Sequence, residues 1–367
     1  MQKKKIFIVM MLTIFCFGIL TAGDLEENLS VMLANNAKMY VQPLVTGFGS
    51  SMNSGLYKRA KCTTGKLPLP IGFDVNIIVS ASLVPDEDLN YDYYFMDNTI
   101  DFDLGSINSS LPDDETISLS MSELYTADKD ETPTISGDEE GAVMTLRTQS
   151  DVIDALIVEM DPANSTVETA YRAALNSSYS SISSLIPEFQ FPDGSNIPAI
   201  PSTNVQLNVR IPFGIELGLR GAPPYEIPNV GKLKMLGFGV RKNIPVPIVD
   251  VAVGGFYQIL TIGDVFEAKN INVHTEIGKT LSIPGFKISP YLGVGMDKST
   301  VDLTYTILGG TIPGNSEDQE IKFNMEGENK FRANLGFSLQ IALLHLQGEY
   351  SIGKYQSATL NVGLTFK

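Results

Sequence analysis

Residues 205–219 alternate without a break. Val205, Leu207, Val209, Ile211, Phe213, Ile215, Leu217 and Leu219 are apolar, while Gln206, Asn208, Arg210, Pro212, Gly214, Glu216 and Gly218 fill the positions between them. Successive side chains of a β-strand point to opposite faces, so this pattern writes one hydrocarbon face against one polar or glycine face. Strands of soluble proteins usually run about 5 to 6 residues, whereas a bilayer-crossing strand needs roughly 9 to 11. The alternation therefore predicts a strand that crosses a membrane. No strand crosses alone, because its unpaired N–H and C=O groups have no partner in hydrocarbon; strands cross only as closed barrels.

The pattern recurs over residues 67–83, 271–277, 286–296, 331–339 and 358–366. Near Leu343 and Leu344 its parity flips, which predicts a tight hairpin turn. The last strand ends on the penultimate Phe366, much as outer-membrane barrels end on an aromatic residue. Weaker segments lie at 91–104, 117–121, 142–148, 233–240, 249–259, 301–307 and 321–325. The sequence thus predicts an all-β transmembrane antiparallel barrel of about 14 strands, with 12 as the alternative, since single-chain bacterial barrels have even numbers. A soluble β-sandwich also alternates, but its strands are shorter and its polar faces less rich in glycine. With no Trp in the chain, an interfacial belt must be built from Tyr and Phe.

Lys3, Lys4 and Lys5 precede an apolar run over residues 6–20, and Thr21, Ala22 and Gly23 supply small residues for a peptidase. This reads as a secretory signal peptide. Cleavage after residue 23 removes Cys16 and three lysines, so the net charge moves from -16 to -19 and Cys62 is left without a disulfide partner. That acidity repels phosphates and argues against nucleic acid as a partner. Beyond the leader no apolar run approaches the roughly 18 residues of a membrane-spanning helix.

Three segments do not read as wall. Residues 25–41 carry Leu25, Leu29, Met32, Leu33 and Tyr40 at helical spacing, with Pro43 expected to end the helix. Small residues between Gly47 and Gly55 follow, and the segment reads equally as a plug in the lumen or a periplasmic tether. Residues 86–140 hold 17 acidic residues and one basic residue, Lys129, as solvated loops do. Within them Asp86, Asp88, Asn90 and Asp92 space oxygen ligands as a calcium loop would, although Tyr91 stands where such a loop needs glycine. Calcium is the one cofactor considered, against a plain acidic loop. In the third segment Ser165 to Glu168 reads as a capping box opening a helix. Counted back from the last strand, this insert falls on the periplasmic side or inside the barrel. The resulting division is a leader (1–23), a helix and plug-like segment (24–66), first barrel strands with acidic loops (67–148), a helical insert (149–202) and the main barrel strands (203–367).

Catalytic chemistry is not visible. His274 and His345 lie on polar strand faces, neither near a second ligand at metal spacing, and no nucleophile and base stand together; the chain is not expected to be an enzyme. The stretch Pro201 to Gln206, the strand through Pro212-Phe213-Gly214 to Arg220, Gly237-Phe238-Gly239-Val240-Arg241, and the pairing of residues 40–58 with Gly72-Phe73-Asp74 together resemble a family of outer-membrane β-barrel proteins of Gram-negative bacteria classed as a domain of unknown function. A plug-like segment ahead of the strands is more loosely similar to the long-chain fatty-acid transporters. The resemblance implies an outer-membrane location, with membrane lipids and lipopolysaccharide as neighbours. It suggests a passive channel or transporter for small or hydrophobic compounds, with Arg210, Glu216 and Arg220 facing the lumen. The alternative is a structural or surface-interaction protein whose acidic loops bind cations or a partner.

Overall fold

The computed structural model describes residues 34–61, 71–94, 99–113, 115–186, 188–227, 231–263, 265–307 and 319–366. The expected leader, the helix residues Leu25, Leu29, Met32 and Leu33, Cys62 and the first residues of the alternation at 67–70 lie outside them. Ten long strands form one antiparallel ring: β1 (Gly72–Leu83), β2 (Ala199–Ile211), β3 (Ile215–Ile227), β4 (Gly231–Pro245), β5 (Asp250–Ile262), β6 (Phe266–Gly278), β7 (Phe286–Ile307), β8 (Phe331–Ile341), β9 (Leu344–Ile352) and β10 (Gln356–Phe366). Each pairs with the next, and β1 with β10 closes the circle, Phe73 opposite Phe366 and Leu83 opposite Gln356. Closure pairs the edge groups that an open sheet would leave exposed.

The exterior is apolar and the interior polar. Along β10, Ala358, Leu360, Val362, Leu364 and Phe366 face out, while Ser357, Thr359, Asn361 and Thr365 are buried. At the rim where the chain ends, Phe73 and Phe366 stand side by side, exposed. No described helix is long and apolar enough to cross a membrane, so this wall is the only described surface suited to hydrocarbon.

Partway up three strands the polarity inverts. On β7 the outward Leu292, Val294 and Met296 give way to Lys298 and Asp302, and the inward Asp297 and Ser299 give way to Val301, Leu303 and Tyr305. The same switch separates Ile271 from Lys269 on β6 and Leu236 from Lys234 on β4. At about 3.3 Å per residue the 22-residue β7 spans roughly 70 Å, far more than a hydrocarbon core of about 30 Å requires. Its far half therefore stands clear of any bilayer as a water-washed collar with an apolar lining.

Ten strands replace the expected 14 or 12, for local reasons. Residues 205–219 are two strands, because Ile211 pairs with Ile215 across a three-residue turn in which Phe213 and Gly214 take positive φ (67° and 70°). A turn of odd length preserves parity, so the alternation runs through it unbroken. At Leu343 a two-residue turn pairs Ile341 with Leu344 and parity flips. Residues 286–307 are one strand, and Gln319–Glu326 pairs with its upper half in line with β8, completing the collar. Segments 91–104, 117–121 and 142–148 supply no wall strand. They form small sheets, Asn90–Asp92 with Glu131–Pro133, Thr99–Asp103 with Thr116–Ser120, and Tyr125–Ala127 with Val143–Leu146 and Phe189–Gln190.

These sheets join α2 (Gln149–Met160), α3 (Ser165–Ser177) and α4 (Tyr179–Ser184) in a cap built from residues 84–198, whose ends meet where Val84 N–H donates to Pro198 O. The acidic stretch and the helical insert thus belong to one body at one end of the ring, opposite Phe366. Counting back from the last strand places the insert at the mouth of Phe366 or in the lumen, and the ring places it at the opposite mouth, since a net miscount of one strand reverses the direction of everything before it. The helix at residue 165 is capped by Asn164, whose Oδ1 accepts from Thr166 and Val167, rather than by the Ser165 box.

If the apolar exterior is the lipid face, Leu360→Arg should cost about 2–4 kcal/mol in lipid, and Lys322→Ser on the collar no more than about 0.5 kcal/mol. Urea unfolding in vesicles, read by the loss of heat-modifiable mobility, distinguishes the two.

Candidate functional site

Residues 34–60 occupy the interior of the ring. The helix α1 (Ala34–Met52) runs through Pro43, which was expected to end it, and through Gly47 and Gly49. A proline inside a helix costs about 3 kcal/mol, and enclosure offsets it. Tyr40, Val41, Leu44, Val45 and Phe48 are buried in one core with the cap and the collar lining. The glycines mark close approach, since a Cβ on Gly47 would collide with Ile200 and one on Gly49 with Ser299.

Below the collar the contacts become polar, because the inward faces there are polar. The last turn of a helix leaves carbonyls without intrahelical donors and favours cations nearby, yet α1 has no basic residue in its last turn. The wall supplies them. Arg332 Nη2 donates to Ser50 O (2.9 Å) and its Nη1 to Ser54 Oγ (2.9 Å), while Arg220 donates to Met52 O (2.8 Å) and Gly55 O (3.0 Å). Gln258 reaches Met52 O (3.1 Å), Gln206 reaches Leu56 O (2.8 Å) and Gln347 reaches Tyr57 O (2.8 Å). Arg241 donates to Arg59 O and lies 4.5 Å over the Tyr57 ring. Gly55 N–H donates to Glu349 (2.9 Å). Six wall strands thus grip the eleven-residue stretch 50–60.

Two of the gripping arginines are themselves paired with carboxylates. Arg332 bridges Asp297 at 2.6 Å, and Arg241 bridges Glu276 at 2.8 Å and Glu216 at 3.1 Å, all of them buried. Near the end where the chain terminates, Asp74 takes Arg210 (3.1 Å) and Lys58 (3.6 Å), tying the segment to β1 and β2. Removing one member of such a pair strands the other without compensation.

Of the residues expected in the lumen, Arg210, Glu216 and Arg220 are all buried inside the ring, but with different tasks. Arg220 holds the segment, Glu216 supports Arg241, and Arg210 joins wall to wall through Asp74 and Phe366 O. Arg241, Arg332, Asp297, Glu276 and Glu349 were not singled out, although each lies on the polar face of its strand. His274 and His345 are buried in the same interior. The calcium candidates do not converge. Asp86 and Asp88 sit in a 3-10 turn, Asn90 and Asp92 in a short strand, and Asp88 binds Lys354 at 3.1 Å. Among the described residues no three His, Cys, Asp or Glu side chains are grouped to hold a metal ion.

Lys354, in the β9–β10 turn, also binds Glu87 at 2.8 Å and so fastens the cap to the rim. The hydrogen bond it donates to Glu87 leads the causes that push its ammonium up to about 12. A raised folded value means the contribution is whole below the ordinary 10.5 and fades only as pH climbs towards 12.

The chain belongs to the family of unknown function designated DUF6588, whose model matches residues 1–367. That family was the one its motifs resembled, and the closed barrel is the fold that resemblance implied. No curated protein sequence matches it. Among solved structures it is similar to the β domain of the Bordetella autotransporter BrkA (14% identity, 45% of this chain and 90% of that one, TM-score 0.23). It is also similar to OccK11 (OpdR) of Pseudomonas aeruginosa (10% identity, 45% and 57%, TM-score 0.19) and to OmpF of Salmonella typhi in complex with daunomycin (7% identity, 81% and 97%, TM-score 0.15). Likeness of that size bears on neither mechanism nor substrate.

Two outcomes follow from the grip. Arg332→Met should cost about 3–5 kcal/mol by leaving Asp297 buried without a counter-charge, and adding Asp297→Leu should recover most of it; unfolding midpoints of wild type, the two single variants and the double close this cycle. Lys354→Met should speed proteolysis between cap and barrel at neutral pH without moving the temperature at which the barrel loses its folded mobility.

Proposed function

We propose that the chain is an outer-membrane barrel that works as a gated rather than standing-open passage for small solutes, with its own residues 34–60 as the plug. The observation that carries the reading is the hydrogen-bonded grip of wall residues on the 50–60 backbone. Eight strands already enclose room only for side chains or one small ligand, and ten strands around a helix leave no open bore. The outer-membrane placement is supported by the apolar exterior, the expected leader and the family resemblance.

The contents of the interior favour a plug that moves over a core that is merely filled. Most of the gripping bonds run from side chains to backbone carbonyls, where water can replace them. His345 and Asn204 are buried with both of their polar side-chain atoms unpartnered, a cost that a permanent core avoids and a wetted lumen does not incur. Most of the apolar lining that would select a hydrophobic compound lies in the collar, with Ile78 and Phe256 as inward apolar wall residues below it, so small polar solutes are the better substrate class for the lower lumen. The acidic cap favours the second reading, a surface-interaction protein anchored by a sealed barrel.

Planar-bilayer recordings test the choice. Wild-type protein should show little conductance, and Arg220→Ala with Arg332→Ala should open ohmic steps while the barrel keeps its heat-modifiable mobility. A folded double variant that stays silent removes the passage reading and leaves the anchored surface protein.

A further inference from the structure

We infer that the chain enters the lumen from the outer face of the membrane, where the start of α1 is displayed beside the cap, and leaves it on the periplasmic side. The inference rests on the membrane placement proposed above but not on any passage of solute.

The direction of α1 is fixed at both ends. At its start, Asn36 exchanges two 2.9 Å hydrogen bonds with the Tyr94 backbone of the cap, and Tyr40 O accepts from Ile135 N at 3.0 Å. At the far end, Ala60 O accepts from Asn243 at 3.1 Å and Lys58 meets Asp74, one residue from the β1–β10 pair Phe73 and Phe366. Residues 36 and 60 therefore lie at opposite mouths of the ring, and Gly72 begins β1 at the mouth where residue 60 ends. The chain traverses the barrel once through its lumen before it traverses it again as wall.

Which mouth faces outward follows from the connections. At the mouth of residue 60 the turns are short: residues 212–214, 246–249, 279–285 and 342–343. The other mouth carries the cap and the collar. Outer-membrane barrels keep short turns in the periplasm and long segments outside. Residues 84–198 hold 24 of the 42 acidic residues and 3 of the 26 basic ones, a net -21 that keeps the cap in water beyond the mouth that carries it. The collar's outward Lys269, Asp302 and Lys322 require water at the same end.

Single cysteines in a Cys62→Ser background test the topology in full-length protein expressed in Gram-negative cells. Asn35→Cys reports the entry of α1, Glu159→Cys the cap and Leu343→Cys a short turn, all three being exposed positions. A membrane-impermeant maleimide should label Asn35→Cys and Glu159→Cys on intact cells, and Leu343→Cys only after lysis, a change of at least tenfold. Labelling of Glu159→Cys without Asn35→Cys overturns the threading, and labelling of Leu343→Cys alone inverts the orientation; either sinks the display while leaving a membrane barrel. Absence of all three variants from the membrane fraction, or loss of heat-modifiable mobility, instead overturns the membrane placement on which the inference rests.

Discussion

Backbone hydrogen bonding in a medium without water is the constraint on which everything else here depends. A strand in hydrocarbon must find both neighbours, so the sheet closes, and the pairing of β1 with β10 is what makes the other eight strands tenable. Closure then sets the chemistry of both faces. The exterior is left to Leu, Val, Ile and Phe, and the interior to Asn, Gln, Ser, Thr and the charged side chains. A polar interior of ten strands is too wide for its own side chains to fill and too narrow to be an ample pore. The amino-terminal segment answers that geometry, and the wall arginines answer the open carbonyls at the end of its helix.

The molecule uses two kinds of cohesion, divided at one level. Above the polarity switch on β4, β6 and β7, α1 is held as a helix is held in any soluble protein, by Tyr40, Leu44 and Phe48 packed on Leu303 and Phe323. Below it the same chain is held by hydrogen bonds exchangeable with water, those from the arginines individually worth about 1.5–3 kcal/mol and those from Gln206, Gln258 and Gln347 less. In the gate proposed above, residues 50–60 loosen while the helix stays anchored, and the buried pairs Arg332 with Asp297 and Arg241 with Glu276 keep each guanidinium aimed when the carbonyl leaves.

Much of the wall was legible in the sequence because period-two alternation is a direct consequence of strand geometry. β1, β6, β8, β9 and β10 stand where the pattern wrote them, and the orientation of Arg210, Glu216 and Arg220 followed from parity alone. The strand count was not legible, for the reason that parity is blind to turns of odd length. Pro212-Phe213-Gly214 reverses the chain without disturbing the alternation, while Ala342-Leu343 reverses it and shifts the phase. The weak segments between residues 91 and 148 alternate as well, because strands in a small soluble cap also have a wet and a dry face.

Sequence by itself determined a closed wall with a hydrocarbon exterior, a polar lumen and an acid-rich appendage, since each depends only on which residues alternate and where charge accumulates. Tertiary structure decided the rest. That Pro43 sits inside a helix, that this helix lies in the lumen and points from cap to rim, and that residues 84–198 form one body at one mouth all depend on contacts between residues far apart in sequence. Tyr40 with Ile135, Arg332 with Ser50 and Lys354 with Glu87 are separated by tens to hundreds of positions, and no local pattern encodes which distant backbone a side chain will meet.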